Sequence, residues 1–230
     1  MIRVIDNFIN KEQLKKIDEI IKNSKPEDGL ATTSLNSTYY KKNTQYFSNK
    51  ELWETILSKN ACYFIQENVS CSTFYPGQIM VSEYNKSDFY EDHVDNAFLG
   101  TRARKISFSI FLDDEKDYRG GELIIKHENG ESKFKEDKGA AVFYPSNYIH
   151  QVTEITKGKR RVVVGWIDCL VPKAEDRFIL TEAKKYLLDL DKFYKELLEE
   201  DKTRALELRK SMIGFRYMYN ELYRKCMSER

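Results

Sequence analysis

The chain has 230 residues, of which 41% are hydrophobic, 13% aromatic and 33% charged. Lys and Arg total 38 and Asp and Glu total 37, so the formal net charge of +1 excludes a generally basic nucleic-acid-binding protein and an acidic tail protein. The frequent aromatic and aliphatic residues exclude a disordered chain.

Residues 1–69 predict a helical region with a polar connection inside it. Asn10 and Gln13 have the spacing of a capping box, and the stretch 22–44 is interpreted as a long connection. Ser48 and Glu51 form a second capping box. Apolar residues at helical spacing follow the two boxes: Leu14, Ile17, Ile20 and Ile21 after the first, and Leu52, Trp53, Ile56, Leu57 and Phe64 after the second.

Residues 70–172 change to short β-forming runs separated by turn signals. The runs are predicted at 78–83, 105–112, 122–126, 132–135, 140–144, 149–153 and 161–170. Asn129-Gly130 lies between two of these runs and predicts a hairpin. Many short strands with regular turns favour a β-sandwich or a barrel.

Residues 173–230 return to helical periodicity, with a break at Glu199–Lys202 that predicts two helices. We expect this extension to pack on the β-rich core; the alternative is a homodimer formed through the helices, because an amphipathic face serves either purpose. The predicted domains are therefore a domain over 1–172, which comprises a helical region (1–69) and a core (70–172), and a C-terminal helical extension over 173–230.

Two of the three histidines lie in a pattern that suits a metal ion. His93 and Asp95 are separated by one residue, so in an extended chain they point to the same face. His150 lies in a later strand-like run, and strand pairing could bring it to the same ion. Two His and one carboxylate form the facial triad of non-haem Fe(II) oxygenases. The alternatives are a solvated acidic loop around Asp95 and a hydrogen-bonded core histidine at 150.

Arg160 and Arg161 open a strongly β-forming run ten residues after His150. An arginine that faces into a barrel is costly unless it meets an anion, and a guanidinium binds a carboxylate with two parallel hydrogen bonds. The alternative is that both are surface charges at a loop edge. Alternation does not choose between them, because both faces of the run carry apolar residues.

The order of HxD, distal His and Arg resembles the Fe(II)/2-oxoglutarate dioxygenases of the prolyl 4-hydroxylase superfamily, and more narrowly the PKHD-type hydroxylases. The resemblance covers most of the chain and is strongest over 78–177. It depends on these blocks: 93–97 (HVDNA), 107–112 (SFSIFL), 117–123 (DYRGGEL), 144–146 (YPS), and 150–166 with its Gly158, Arg160 and Trp166. The fold it implies is mainly β with flanking helices (α+β): a double-stranded β-helix, or jelly roll, with N-terminal helices and a C-terminal helical pair.

The same resemblance implies the roles of the site residues. His93, Asp95 and His150 would ligate Fe(II), and Arg160 would bind the distal carboxylate of 2-oxoglutarate. Further contacts with the co-substrate are implied for Tyr84, Ser109, Leu123 and Trp166. The implied reaction hydroxylates a substrate C–H bond with O2 while 2-oxoglutarate is decarboxylated to succinate and CO2, with ascorbate as an optional reductant.

The substrate is the component that the resemblance does not supply. We expect a prolyl or other residue of a peptide or protein; the alternatives are the same chemistry on a small metabolite or free amino acid, and a non-catalytic metal-binding sensor. Candidate substrate contacts are Asn43, Asn96, Arg102 and Arg104. The alternative for the two arginines is a solvated rim.

The expected compartment is the cytoplasm, of a bacterium or of a host cell if the gene is carried by a phage. No apolar run approaches the ~20 residues of a membrane span, and Met1–Lys16 has no secretory pattern. The four cysteines lie far apart without a CxxC pair, which favours reduced thiols.

Overall fold

Short antiparallel strands are the commonest regular structure among the described residues before residue 169. The computed structural model describes residues 2–32, 39–47, 50–56, 79–99, 102–103, 105–169, 171 and 173–228. Its strands are β1 (Arg3–Ile5), β2 (Glu27–Asp28), β3 (Lys41–Lys42), β4 (Thr44–Phe47), β5 (Met80–Tyr84), β6 (Phe89–His93), β7 (Phe98–Leu99), β8 (Arg102–Ala103), β9 (Ile106–Phe111), β10 (Leu123–His127), β11 (Gly130–Phe134), β12 (Ala141–Pro145), β13 (Ile149–Val152) and β14 (Arg160–Ile167).

These strands form two main sheets. The larger sheet has the order β1-β12-β9-β14-β5-β4-β2, the smaller has the order β11-β10-β13-β6-β3, and β7 pairs with β8. Every pairing among the described strands is antiparallel. The arrangement is the predicted jelly roll. The predicted Asn129-Gly130 hairpin is confirmed, because His127 pairs with Gly130 where β10 turns into β11.

One hydrophobic cluster lies between the two sheets. Phe111, Val142, Tyr144 and Val162 come from the larger sheet, and Leu123 and Ile125 come from the smaller one. Each of these residues is buried, because alternate residues of a strand point to the same face. The cluster therefore holds the sheets together and positions the side chains that line the cavity beside it.

The N-terminal region contains the predicted helix and also strands that the pattern does not predict. Helix α1 (Lys11–Asn23) begins with the expected capping box: the Gln13 amide donates to Asn10 Oδ1 and the Asn10 amide donates to Gln13 Oε1, both at 2.9 Å. Helix α2 spans Lys50–Ile56. The stretch interpreted as a connection forms β2, β3 and the first residue of β4. These strands are too short and too polar to produce a periodic pattern.

The region from Cys169 onward belongs to a second compact unit. Its helices are α3 (Ala174–Glu200) and α4 (Lys202–Ser228), separated at Asp201 within the predicted break. The Asp201 carboxylate accepts the backbone amides of Thr203 and Arg204 and so caps α4. No helix among the described residues is long and apolar enough to cross a bilayer.

The cysteines differ from the expectation of four reduced thiols. Cys169 is disulfide-bonded, whereas Cys226 is a buried free thiol. Sequence spacing does not reveal such a bond, because pairing depends on distance in the folded chain. The other two cysteines lie outside the described residues.

Candidate metal and co-substrate site

Strand pairing brings the three candidate metal ligands together. His93 ends β6 and lies directly opposite His150 of β13. Asp95 follows two residues after His93, in irregular backbone beyond the strand end. One ligand atom from each of the three residues lies within 4.8 Å of the others, and His150 Nε2 is 3.8 Å from Asp95 Oδ2. Two imidazole nitrogens and one carboxylate oxygen therefore converge on a single point.

Each imidazole is oriented by a backbone carbonyl two residues earlier in the chain. His93 Nδ1 is 2.8 Å from the Glu91 carbonyl, and His150 Nδ1 is 3.0 Å from the Tyr148 carbonyl. A carbonyl only accepts, so Nδ1 carries the proton in both rings. Nε2 then keeps the free lone pair, which makes it the nitrogen that each ring offers to a metal ion.

The environment keeps His93 in the neutral form that binds metals. Burial lowers the pKa of His93 to about 3, and the neighbouring His150 acts in the same direction, against the opposing effects of the Glu91 carbonyl and Asp95. The ring also stacks on Tyr90, with ring centres 3.5 Å apart and an interplanar angle of 14°. A neutral, immobilised imidazole is what a preorganised metal site requires.

The Asp95 carboxylate is held by a hydrogen-bonded pair of serines. Ser107 Oγ lies on β9 of the opposite sheet and donates to Asp95 Oδ2 at 2.5 Å. Ser107 Oγ is also 2.9 Å from Ser146 Oγ. This contact orients an oxygen that would otherwise rotate freely in an irregular segment.

Arg160 is a buried cation whose guanidinium meets no anion among the described residues. It is 1% exposed, and its Nε and Nη1 have no hydrogen-bond partner in that part of the chain. Its guanidinium lies 5.3 Å from the ring centre of Tyr84 and 5.5 Å from that of Phe111. Burying a charged group without a partner costs free energy. The unpaired Nε and Nη1 of Arg160 therefore indicate where a carboxylate binds.

Tyr84 pairs with Arg160 across β5 and β14 and is 3% exposed. Burial raises the pKa of Tyr84 to about 12, although Arg160 opposes the shift. The phenol therefore stays protonated at neutral pH and retains its O–H donor beside the guanidinium.

A cavity of about 490 Å³ connects these groups. Most of the residues predicted for the site line it: Tyr84, His93, Asp95, Asn96, Ser109, Leu123, His150, Arg160 and Trp166. Asn43 does not line it. Its side chain is buried against Gly29, where an added Cβ would meet Asn43 Oδ1 at 1.7 Å. Arg102 lies on β8 but its side chain is outside the described part of the structure, and Arg104 is outside it altogether.

Sequence reasoning missed several residues that line the cavity, among them Lys41, Tyr90 and Tyr144. Tyr144 packs edge-on against His150, with ring centres 5.0 Å apart, and burial raises its pKa well above 10. Alternation within β12 places Tyr144 on the same face as the buried Val142, and this pattern could have predicted that Tyr144 faces the interior. Lys41 and Tyr90 lie in polar runs that carry no such signal.

The donor set suits a borderline divalent metal such as Fe(II), and three ligands leave half of an octahedron open. The orphaned guanidinium nitrogens of Arg160, at the same cavity, suit the far carboxylate of a chelating ketoacid. A jelly roll with this site defines an oxygenase that uses Fe(II), 2-oxoglutarate and O2. In agreement, residues 79–168 match the family described as the 2OG-Fe(II) oxygenase superfamily.

Within that superfamily, the chain belongs to the PKHD-type hydroxylases. It is 31% identical over 183 residues to a PKHD-type hydroxylase of Acaryochloris marina, covering 78% of this chain and 84% of the relative. It is 33% identical over 210 residues to one from Prochlorococcus marinus, covering 85% and 90%. The predicted family and the predicted enzyme class, a dioxygenase that hydroxylates, are thus confirmed.

Solved structures share the fold at low sequence identity. A Pseudomonas putida prolyl-4-hydroxylase aligns with a TM-score of 0.57 and 15% identity over 73% of this chain and 92% of its own. A prolyl hydroxylase from Trichoplax adhaerens, in complex with a peptide fragment of the hypoxia-inducible factor oxygen degradation domain, aligns with a TM-score of 0.56 and 14% identity over 73% and 83%. At these identities the likeness concerns the fold.

Proposed function

We propose that this dioxygenase hydroxylates a prolyl or other residue of a peptide or protein. The observation that carries the proposal is the exposed segment that adjoins the metal ligands. Val94 is 49% exposed, and Asn96 and Ala97 are also exposed beyond Asp95. An extended peptide could lie against this segment with one residue inside the cavity. The Trichoplax adhaerens neighbour, whose structure holds a peptide, supports the same substrate class.

The roles of the side chains follow from their positions. His93, Asp95 and His150 would hold the iron, and Arg160 with Tyr84 would bind the distal carboxylate of 2-oxoglutarate. When bound, the iron and the ketoacid supply the oxidising chemistry by activating O2. The chain's own contribution is to orient these groups, with Ser109, Leu123 and Trp166 shaping the cavity wall, and to keep one substrate C–H bond close to the reacting centre.

Other elements of the proposal concern substrates and partners. A small metabolite or free amino acid, bound in the same cavity, is the second candidate substrate. Ascorbate remains an optional reductant, and a cytoplasmic location remains a prediction. A homodimer through the C-terminal helices also remains a prediction; exposed apolar side chains on α3 and α4, among them Phe193 and Ile213, favour it.

The test of the site is an anaerobic titration of the metal-free protein with Fe(II) and 2-oxoglutarate. We expect the visible charge-transfer band of the chelated ketoacid in the wild type, and its loss in Asp95→Ala and His150→Ala with unchanged circular dichroism. Asp92→Ala is the matched control, because this exposed carboxylate pairs with Lys126 instead. A band that persists in Asp95→Ala would contradict the ligand assignment.

The test of the substrate class uses the same protein with O2. Peptide libraries and free amino acids are incubated with the enzyme, and products are identified by the mass of one added oxygen. Peptide products that are formed in preference to free amino acids support the proposal. Turnover of free amino acids alone would move the small-molecule candidate to first place.

A further inference from the structure

Lys41 is a second buried cation at the cavity, outside the metal and co-substrate groups. It lies on β3, next to Tyr90 of β6, and is 2% exposed although it lines the cavity. Its Nζ donates to Thr32 Oγ1 at 2.7 Å and lies 4.5 Å from the ring centre of Tyr90. Thr32 in turn is 2.9 Å from Gln45 Oε1, so its hydroxyl is held in place as an acceptor.

The charge of Lys41 has no carboxylate partner in the described part of the chain. There its Nζ forms no ion pair, and its one hydrogen bond uses only one of its three donors. Burial lowers the pKa of Lys41 to about 8, with Asp95 and Asp28 opposing the shift from a distance. In the proposed site Asp95 would bind the metal ion, which would compensate its charge. Burying an unpaired ammonium is destabilising unless a ligand compensates its charge.

The neighbouring lysine shows that this environment is specific. Lys42 points to the other face of β3, where its side chain is 52% exposed and its Nζ pairs with Asp88 at 3.1 Å. Two consecutive lysines therefore differ completely in surroundings, as expected from the two-residue period of a strand. Of the two, only Lys41 is directed into the cavity.

Lys41 is also close to the reacting centre. Tyr90, whose ring it contacts, stacks directly on the metal ligand His93. At the same cavity, the distal carboxylate of the co-substrate is the proposed ligand of Arg160. Glu27 lines the cavity as well, but it is exposed and therefore screened by water. The buried positive charge of Lys41 is therefore available to bind the substrate that is oxidised.

We propose that Lys41 binds a carboxylate of the primary substrate and thereby selects an acidic substrate. This inference rests on the proposed function and narrows it. The carboxylate is an acidic side chain of a peptide, the C-terminus of a peptide, or the acid group of a free small molecule. A carboxylate fits better than a phosphate group, because one ammonium matches a single negative charge and the neighbouring Gln45 side chain adds no further charge.

The experiment measures binding with pairs of compounds that differ only in acid against primary amide. The pairs are peptides with Glu or Gln and with Asp or Asn, peptides with a C-terminal acid or amide, and free amino acids with their amides. Each is added anaerobically to the protein loaded with Fe(II) and 2-oxoglutarate, and the shift of the charge-transfer band gives its Kd. The series that responds identifies the source of the carboxylate.

In the wild type we expect the acid of one series to bind roughly 30-fold more tightly than its amide, as for a charged hydrogen bond. Lys41→Met should lose this preference, Lys41→Gln should do the same with a polar side chain, and Lys42→Met should keep it. The Kd for 2-oxoglutarate should not change in Lys41→Met. Thermal unfolding should show that Lys41→Met is as stable as the wild type or more stable, since a buried unpaired charge is removed.

Three results would overturn the inference: an acid preference that survives in both Lys41 variants, a wild type that distinguishes no pair, or a large loss of 2-oxoglutarate affinity in Lys41→Met. The last result would assign the ammonium to the co-substrate. Failure of the proposed function is recognised separately, because the wild type would then turn over free amino acids and no peptide, whether or not Lys41 confers the acid preference.

Discussion

Arg160 and Arg161 are consecutive residues of β14 with opposite surroundings. Arg160 faces the cavity with orphaned guanidinium nitrogens. Arg161 makes ion pairs at 2.6 Å with both Asp113 and Asp18, and these pairs raise its pKa even though burial opposes the shift. One arginine thus stabilises the folded chain, and the other is available to a ligand.

This pair allows binding and stability to be separated. Arg160→Met should weaken 2-oxoglutarate binding by roughly 100-fold, because charge-assisted hydrogen bonds to a carboxylate are lost, while the free energy of unfolding changes little. Arg161→Met should lower that free energy by about 1–3 kcal/mol, since Asp113 is left without its partner, and should leave the Kd unchanged. Calorimetric titration and denaturant unfolding measure the two quantities. An unchanged Kd for 2-oxoglutarate in Arg160→Met would show that another residue binds its distal carboxylate.

Ser107 should control metal affinity without being a ligand. Ser107→Ala removes the donor to Asp95, and loss of such an outer contact typically weakens metal binding by about 10–100-fold. Competition with a chelator of known affinity measures the change. Ser82→Ala is the control, because Ser82 is equally buried at the same cavity and has no hydrogen bond to any of the three ligands among the described residues. Equal affinities in both variants would show that the Ser107 contact does not orient Asp95.

A side chain added at Gly121 should displace Arg160 by steric contact alone. The φ of Gly121 is +70°, and an added Cβ would lie 2.4 Å from Ile155 Cδ1 and 2.9 Å from Arg160 Cδ. Gly121→Ala should lower stability by about 1–3 kcal/mol and raise the Kd for 2-oxoglutarate. Gly130 also has a positive φ, of +116°, but no described atom lies within 4 Å of its added Cβ. Gly130→Ala should therefore lower stability through backbone strain and leave the Kd for 2-oxoglutarate unchanged. If the Kd rises equally in Gly130→Ala and Gly121→Ala, general destabilisation and not contact with Arg160 causes the rise.

Tyr84 should make stability fall at alkaline pH. Its pKa is about 12 in the folded chain against an ordinary value of 10.0, so the phenol ionises first in the unfolded chain. The stabilisation is complete below pH 10 and is lost as the pH rises from 10 to 12. Tyr84→Phe should reduce the slope of the free energy of unfolding in this window, as measured by denaturant unfolding at several pH values. Identical slopes would show that the Tyr84 phenol is not desolvated.

Most of the core strands are predictable because their residues alternate or form apolar runs. The runs predicted at 105–112 and 140–144 correspond to β9 and β12 within a residue at each end. β6 escapes prediction because its sequence, FYEDH, is polar and aromatic, with a candidate metal ligand at its end. β6 carries polar and aromatic residues on both faces, so the pattern that identifies a buried strand is absent from it.

The candidate site also contains residues that the sequence predicts and residues that only the structure identifies. The three candidate ligands are predicted from the HxD spacing of His93 and Asp95 and, for His150, from the resemblance. Alternation alone does not choose between Arg160 and Arg161, because both faces of β14 carry apolar residues. The resemblance favours Arg160, and the structure places Arg160 at the cavity. Lys41 lies in a run whose composition indicates only a polar connection. Thr32 lies nine residues before Lys41 and Tyr90 is distant in the chain, and no periodic pattern connects either of them with Lys41.

The two carbonyls that orient His93 and His150 have a consequence for how this enzyme can change. Because each ring is aligned by its own main chain, no other side chain is needed to select the coordinating nitrogen. Substitutions around the metal can therefore alter the substrate without changing the tautomer of either imidazole. Evolution of a new specificity is in this respect uncoupled from maintenance of the iron centre, and the residues around the ligands are the place to redesign it.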